Sequence, residues 1–310
     1  MRLASGLQIL TVASVALFTA TCGETPMSPP DVGNTTHTLL TDSPFPYDRV
    51  ARVDLYVVSV SASLAADTSS AASGNFLTLA TPNRRINVLA LQAGLTDELG
   101  AVKIPTGAIK AVRMVIDTDS SSITLTNGTV LKGNTTPGIQ WQSSAGRPVL
   151  NAQIQDQIVV PDSGATIVID YDVGKAFITP QDVNPASPDQ GFIFSPVLRA
   201  IDKQRSSSIA GMVRARSATG APVANASLRL YLGNPNNAEN TWGVIATAKS
   251  DASGAFRFAY IPRSSVFTQP GVSYIVAADP PTGSGLGRQI VINVSAKAAV
   301  ETSVGVVILP

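Results

Sequence analysis

Histidine, cysteine, aromatic and charged residues are all scarce in this sequence. Its 310 residues include one histidine and one cysteine, with 5% aromatic and 14% charged residues. A serine or cysteine nucleophile of the common type needs a histidine base, and a zinc site needs several histidine or cysteine ligands. The composition therefore argues against both kinds of active site. We expect a protein with no enzymatic activity and no cofactor.

The charge balance argues against a further class of partner. The formal net charge is +1, which gives no electrostatic reason to expect nucleic-acid binding. What the sequence does contain is short runs of β-branched residues, separated by Gly, Pro, Asn and Asp. Such runs favour strands, and the length allows two domains. We therefore predict an all-β protein with room for two domains.

Residues 1–22 are typical of an export signal. Arg2 gives a positive start, and Leu7–Phe18 is an apolar run too short to span a bilayer comfortably. The next residues, Thr19–Gly23, resemble the bacterial lipobox, in which small residues precede a lipid-modified cysteine. Thr19 and Thr21 depart from that pattern, since they stand where it prefers Leu and then Gly or Ala.

Cys22 is the predicted site of lipid attachment. As the only cysteine, it has no partner for a disulfide in an exported chain. Residues 23–36 are rich in proline and polar side chains, so they are predicted to form a semi-rigid tether. We therefore favour a lipoprotein anchored in the cell envelope, in the outer membrane, over a secreted or periplasmic protein.

Residues 37–203 are predicted to form the first and larger domain, with its core built on the apolar stretch Arg85–Asp117. Within that stretch we expect a strand over Ile86–Leu91, a helical turn or loop over Gly94–Gly100, and a strand over Ile109–Asp117 with Val112, Met114 and Ile116 inward. The other expected strands are Thr38–Thr41, Arg49–Ser61, Phe76–Leu79, a hairpin over Ile123–Leu131, Val149–Ile154, Ile158–Val160, Thr166–Tyr171 and Phe192–Ile201.

A series of short motifs in this region carries a family resemblance. In chain order they are T-D-S-P, F-L-T-L, I-N-V-L-A-L, L-G-A-V-K-I-P-T-G, V-R-M-V-I-D, V-I-D-Y-D-V-G-K-A-F and F-S-P-V-L-R-A. Together they resemble a family of bacterial and archaeal envelope domains, domain-of-unknown-function family 4382, over Thr38–Ile201. The resemblance implies a β-sandwich and brings no activity, cofactor or site residues.

Residues 204–208 read as a linker, and residues 209–310 carry a second resemblance. The motifs are I-A-G-M-V from Ile209, G-A-P-V-A-N-A from Gly220, S-D-A-S-G-A-F-R-F from Ser250, and Y-I-V from Tyr274. They resemble the carboxypeptidase regulatory-like domain, a small transthyretin-like or immunoglobulin-like sandwich. That resemblance implies a spacer or a binding accessory, and its fold class is grouped with carbohydrate-binding-like domains. The long Pro262–Pro270 segment departs from the family's quick turn.

Few residues offer chemistry, and each also has a plainer interpretation. The single histidine, His37, lies at the start of a predicted strand, where an exposed residue is the favoured reading over a general base. Asp162-Ser163-Gly164 has the triplet of aspartic proteases, which need two such carboxylates. The chain holds a single copy between two predicted strands, so we favour an ordinary turn.

Carboxylates give one weak metal candidate. Asp170 and Asp172 lie two residues apart on one strand face, and with Asp42 they could bind calcium through oxygen. The favoured alternative is a solvated strand edge with Lys175 nearby, so we predict no metal site. The four glutamates (Glu24, Glu98, Glu239 and Glu301) show no pairing of the kind that glycoside hydrolysis requires.

The two tryptophans are the tentative ligand-binding residues. Trp141 and Trp242 each lie beside a loop rich in Gly and Asn, where binding residues collect. The alternative is that each caps the end of a sandwich core. We expect a structural or interaction module of the cell envelope, with envelope proteins or glycans as partners beside the membrane itself. Carbohydrate binding is the second hypothesis, and an enzyme with aspartate-based chemistry is a remote third.

Overall fold

A computed structural model describes residues 35–42, 49–65, 76–141, 146–180 and 190–310. The predicted export signal, Cys22 and most of the tether lie outside the described residues. Within the described part of the chain, no helix has the length and hydrophobicity needed to cross a membrane.

The first part of the described chain is built almost entirely from strands. They are β1 (Thr35–Asp42), β2 (Val50–Ser63), β3 (Phe76–Ala80), β4 (Arg84–Asn87), β5 (Asp97–Lys103), β6 (Gly107–Ile109), β7 (Ala111–Leu125), β8 (Val130–Leu131), β9 (Ile139–Gln140), β10 (Val149–Ile154), β11 (Ile158–Val160), β12 (Thr166–Tyr171), β13 (Phe177–Ile178), β14 (Phe192–Phe194) and β15 (Leu198–Asp202). A 3-10 segment covers Val88–Gly94, and one short helix, α1, covers Val173–Ala176.

Eight of these strands lie side by side in the order β3-β2-β7-β10-β15-β12-β1-β5. Two neighbouring pairs, β1 with β12 and β10 with β15, run parallel. The end strands of this path meet, because a Cβ placed on Gly100 in β5 would lie 3.0 Å from the Cβ of Ala80 in β3. One continuous sheet therefore folds over and supplies both layers of the first sandwich.

The core of this sandwich lies between the two layers and follows the predicted alternation. On β7, the side chains of Val112, Met114 and Ile116 are at most 1% exposed. Because side chains alternate between the two faces of a strand, the residues between them face the other way and are only half-buried. The predicted inward face of this strand is confirmed.

The second sandwich packs two separate sheets face to face. Its strands are β16 (Ser206–Ala215), β17 (Ser227–Gly233), β18 (Gly243–Lys249), β19 (Ala255–Pro262), β20 (Ser273–Asp279), β21 (Gln289–Val294) and β22 (Glu301–Leu309). One sheet has the order β19-β16-β22 and the other β18-β17-β20-β21. A separate apolar cluster fills the space between them, including Leu228, Leu230, Phe256, Phe258 and Val276. The prediction of an all-β chain with two sandwiches is confirmed.

The prediction of a strand over Ile86–Leu91 is wrong after Asn87. The chain pairs with β2 only as far as Asn87 and then enters the 3-10 segment. That segment ends with Ala93 and Gly94 at φ values of +58° and +87°, a left-handed conformation that lies outside the extended region of a regular strand. The expected loop over Gly94–Gly100 is correspondingly short, since β5 begins at Asp97.

The predicted strand Phe192–Ile201 is two strands in the structure. β14 ends at Phe194 and β15 begins at Leu198. Pro196 lies between them, and proline has no N–H to donate to a sheet. The apolar pattern alone does not show this break.

The Asp-Ser-Gly triplet forms a reverse turn between β11 and β12. The N–H of Gly164 donates to the carbonyl of Pro161 at 2.9 Å, and Gly164 has a φ of +83°. A Cβ at this position would collide with the backbone carbonyl of Thr35 in β1. Glycine is therefore required here both by backbone conformation and by close approach.

Replacing Gly164 and Gly128 in turn should separate the cost of backbone strain from the cost of the collision with Thr35. Gly128 has a similar φ of +88°, but a Cβ added there would have nothing within 4 Å. We expect Gly128→Ala to cost about 1 kcal/mol through backbone strain alone. Gly164→Ala should cost about 3 kcal/mol, since overpacking adds to strain. Urea unfolding measures both values, and equal losses would show that the collision at Thr35 is relieved without cost.

Candidate functional site

The three aspartates singled out in the sequence converge at one end of β1 and β12. These strands pair in parallel, with Asp42 opposite Tyr171, so their C-terminal ends meet. The Oδ1 of Asp42 accepts the N–H of Val173 at 3.0 Å. The Oδ1 of Asp172 accepts the N–H of Lys175 at 3.2 Å and so caps α1. Two of the three carboxylates thus hold the turn that follows β12.

The solvated strand edge that we favoured for these residues is wrong. Asp42 is 5% exposed, Asp170 8% and Asp172 3%. Asp170 and its cross-strand partner Arg199 lie on the outer face of the first sandwich. The next pair on that face, Val168 and Ile201, is also buried although it lies outside the first core cluster. This face is buried because the second sandwich covers it.

Cations occupy the positions around the carboxylates. Nη2 of Arg199 lies 2.5 Å from Oδ2 of Asp170 and 3.9 Å from Oδ2 of Asp172. Nζ of Lys175, the lysine expected nearby, lies 3.1 Å from Oδ2 of Asp172. The described residues contain no group of three or more His, Cys, Asp or Glu side chains that could hold a metal ion. Asp170 and Asp172 are therefore neutralised by the protein's own side chains.

Burial dominates the protonation chemistry of this cluster. It raises the pKa of Asp170, and the charge of Arg199 opposes the increase. It also raises the pKa of the fully buried Tyr171 hydroxyl well above its ordinary value, and the charge of Asp42 adds to the effect. Tyr171 therefore stays protonated near neutral pH and offers no general base.

Arg199 also joins the two sandwiches. Its Nη1 donates a hydrogen bond to the backbone carbonyl of Ile245 in β18. β18 is an edge strand, with β17 as its only neighbour in the sheet. On its open side no strand is available to donate a hydrogen bond to a backbone carbonyl. One guanidinium thus pairs with a carboxylate of the first sandwich and with the sheet edge of the second.

Further polar contacts tie the two sandwiches together. The hydroxyl of Tyr260 donates to the carbonyl of Gly94 at 3.1 Å, and Nε of Arg263 lies 3.1 Å from Oδ2 of Asp156. A Cβ on Gly94 would collide with the guanidinium of Arg257. The same Cβ would lie 2.7 Å from the Cβ of Ala259, and Gly94 has a φ of +87°, so close approach and backbone conformation both favour glycine at the end of the 3-10 segment.

Tyr260 is held in a strained backbone conformation to make its contact. Its φ is +51°, which costs a non-glycine residue about 1 kcal/mol. The pairing of β16 with β19 shifts register between Ser207 and Ile209, which places an extra residue in β19 beside Tyr260. Bulges of this kind redirect a side chain, and here the redirected hydroxyl reaches the first sandwich.

A groove of about 450 Å³ lies beside this junction. Its wall includes two ion pairs, Lys175 with Asp172 and Arg229 with Asp279, the latter at 2.6 Å. Each of these pairs is neutral overall, and Lys249, a further cation in the wall, also interacts within the protein. The geometry around the three aspartates is therefore that of an interface between two domains.

Residues 35–196 match a family model described as a domain of unknown function, DUF4382. The chain belongs to this family. The matched region contains β1 to β14 and the three convergent aspartates, while Arg199 lies just beyond it. The family's description assigns no activity to the DUF4382 domain, and no curated protein sequence matches the chain significantly.

Several solved structures show a distant likeness. A 9R-lipoxygenase from Cyanothece is 12% identical over 44% of this chain, which spans 19% of the lipoxygenase, with a TM-score of 0.25. The minor pilin GBS52 from Streptococcus agalactiae is 11% identical over 88% of this chain and 95% of its own, with a TM-score of 0.23. The shaft pilin SpaA from Lactobacillus rhamnosus GG is 12% identical over 89% and 97%, with a TM-score of 0.23. Likenesses at these identities and TM-scores carry no argument about function.

The tryptophan of the DUF4382 domain packs against its aromatic core. The Trp141 ring lies 4.7 Å from that of Phe194 and 6.0 Å from that of Phe177, measured between centroids. Trp242 packs edge-on against Tyr231 at 5.8 Å in the second sandwich. The indole N–H of Trp242 donates to the carbonyl of Asn234 at 2.9 Å. Both rings cap core clusters, and Trp242 has already used its only donor.

The remaining candidates are held in separate ion pairs. Nδ1 of His37 lies 2.7 Å from Glu98, and both side chains are about half exposed. Glu239 pairs with Arg288 at 2.5 Å, and Glu301 with Arg257 at 2.6 Å. The predicted lipid attachment site, Cys22, lies outside the described residues. Among the residues singled out, the structure therefore brings together the three aspartates and, separately, His37 with Glu98.

Sequence reasoning missed Arg199 and Tyr260, which do most to join the sandwiches. Arg199 sits in the alternating stretch Leu198–Asp202, where a charged residue reads as solvent-facing. Only the pairing of β15 with β12, which sets Arg199 opposite Asp170, reveals its role. No local signal marks the bulge that redirects Tyr260.

Removing Arg199 should destabilise the folded protein strongly. Arg199→Ala leaves Asp170 buried without its cation, and breaking such a pair costs about 3–5 kcal/mol. Arg147→Ala is the matched control, because it breaks the exposed pair between Arg147 and Asp117 and should cost less than about 1 kcal/mol. Urea unfolding of the full chain measures both.

A double variant tests whether the loss comes from the pair itself. Asp170→Asn with Arg199→Gln removes both charges while keeping similar shapes, so it should cost less than the sum of the two single changes. Additive losses, or an Arg199→Ala cost no greater than that of the control, would contradict the assignment.

Proposed function

We propose that this protein is a non-catalytic module of the cell envelope, whose two sandwiches act as one rigid body for structural support or interaction. The observation that carries the proposal is the position of Arg199. Its guanidinium is only 12% exposed and bonds both to Asp170 and to the backbone of β18. Side chains that could have served chemistry serve instead to fix one arrangement of the two sandwiches.

The described ionisable side chains with catalytic potential support this reading. The histidine, the three described glutamates and the clustered aspartates have partners in ion pairs or backbone hydrogen bonds. Enzyme sites instead gather titratable groups around a space for substrate. None of these described residues lines a space for substrate in the arrangement that aspartate-based catalysis requires.

The envelope address rests on the sequence of residues 1–36. An export signal, a cysteine placed for lipid attachment and a proline-rich tether together support a lipid-anchored protein, with the outer membrane as the proposed location. A carboxypeptidase regulatory-like second sandwich would act as a spacer in such a protein. If no lipid is attached, the alternative is a secreted or periplasmic protein.

Distance measurements between spin labels test the rigid body. Val130 in the first sandwich and Ile292 in the second are 43% and 50% exposed. Val130→Cys and Ile292→Cys, made with Cys22→Ser to keep labelling specific, should give one narrow distance distribution by pulsed electron resonance. Adding Arg199→Ala should broaden it, whereas adding Arg147→Ala should not. A broad distribution with Arg199 intact would contradict the proposal.

Metabolic labelling tests the anchor separately. Cells that express the chain should incorporate labelled palmitate into it, and Cys22→Ser should abolish the label because it removes the only thiol. Membrane fractionation should then move the variant into the soluble fraction, since no lipid remains to hold it. Label that persists in the Cys22→Ser protein would disprove lipid attachment at this residue.

A further inference from the structure

A second cavity lies in the DUF4382 domain, apart from the junction between the sandwiches. Its volume is about 390 Å³, which is within the range of small-molecule sites. The residues that line it are Thr118, Asp119, Lys132, Gly133, Asn134, Trp141 and Gly146. They come from β7, from the turn after β8, and from the chain directly after β9 and before β10.

Trp141 has an unused hydrogen-bond donor in this cavity wall. Its indole is held by Phe194 and Phe177, and one ring edge lies against Gly133, where a Cβ would be 2.8 Å from the ring. The buried Nε1–H of Trp141 finds no acceptor within the described part of the chain. An unmet buried donor costs about 1–3 kcal/mol, so its presence calls for a functional reason.

Three polar side chains around the cavity are also uncommitted. Within the described chain, no hydrogen bond or ion pair involves the side chains of Asp119, Lys132 or Asn134. The contrast with neighbouring Asp117 is sharp, because that carboxylate accepts the Ser120 N–H and pairs with Arg147. This cavity therefore differs from the groove at the junction, whose ion pairs satisfy one another.

We propose that this cavity binds a neutral saccharide. Each sugar hydroxyl both donates and accepts, so it suits a carboxylate, an amide and an ammonium placed around one space. Asp119 and Lys132 cancel in formal charge, which favours an uncharged ligand over an ionic one. The half-buried indole of Trp141 offers an apolar surface to the C–H face of a sugar ring.

The proposal goes beyond the module function and does not depend on it. A rigid envelope body could lack any saccharide site, and a saccharide site could exist on a flexible two-domain chain. It also assigns different residues from the junction, since none of the cavity residues contacts Arg199 or Asp170 through a hydrogen bond or ion pair in the described chain. A negative result for saccharide binding would therefore leave the proposed module function untouched, and a negative result for the rigid module would leave the saccharide site untouched.

Intrinsic fluorescence provides a direct assay. Trp242→Phe leaves Trp141 as the only tryptophan of the full chain, so emission then reports on this cavity. The probes are glucose, galactose, mannose, N-acetylglucosamine and short oligomers of each, with free glycine and serine as zwitterionic comparisons. At least one saccharide should shift the Trp141 emission in a saturable way, and the amino acids should not.

Side-chain removal at the rim then identifies the site. Asp119→Ala and Asn134→Ala each remove an exposed side chain, so the fold should persist, and each should weaken binding about tenfold, as loss of one good hydrogen bond does. Asp162→Ala and Asn151→Ala are matched controls, since both residues are exposed and neither lines the cavity. Their binding should be unchanged.

Three results would overturn the proposal. They are a saturable response to the amino acids in place of the saccharides, no response to any saccharide probe, and saccharide binding that Asp119→Ala and Asn134→Ala leave intact. Unchanged urea unfolding midpoints for the four alanine variants would ensure that a weaker affinity reflects the cavity and not the fold.

Discussion

The arrangement of this protein depends on one buried arginine. Arg199 and Asp170 face each other on adjacent strands, on a surface that would be open to water if the first sandwich stood alone. The second sandwich covers that surface and presents the carbonyl of Ile245 to the same guanidinium. An isolated buried charge is very costly, so Arg199 needs both Asp170 and the carbonyl of Ile245. Only one placement of the second sandwich supplies that carbonyl.

Other features of the junction follow from this close approach. Gly94 has no side chain because the guanidinium of Arg257 lies where its Cβ would be. Tyr260 accepts a left-handed backbone so that its hydroxyl reaches the carbonyl of Gly94. Each feature carries a local cost in strain or chain entropy, and each is stabilised only when the two sandwiches are together. A polar interface of this kind favours one orientation more than it adds stability.

Much of the fold could be predicted from local pattern, whereas the junction could not. The alternation of Val112, Met114 and Ile116 follows from the two-residue period of a strand and gave the inward face correctly. Ile86–Leu91 reads equally well as a strand, yet the chain leaves β4 after Asn87 and turns at Ala93 and Gly94, where the second sandwich contacts it. Residue type and spacing cannot show these contacts, because their partners lie more than 160 positions away in sequence.

The same distinction applies to the candidate residues. That Asp170 and Asp172 share a strand face follows from their spacing, but the cover over that face comes from a separate domain, so the expectation of a solvated edge was wrong. For Trp141, the sequence indicated a position beside a polar loop. The unmet indole N–H and the uncommitted side chains around it became visible only once β7, β8 and β9 were placed together.

Differential scanning calorimetry of the full chain tests most directly whether the two sandwiches form one body. If the contacts around Arg199 couple them as described, the chain should unfold in a single transition whose calorimetric and van't Hoff enthalpies agree. Arg199→Ala should then resolve that transition into two. Two independent transitions in the unaltered protein would show that the two sandwiches unfold separately, which would contradict their coupling through Arg199.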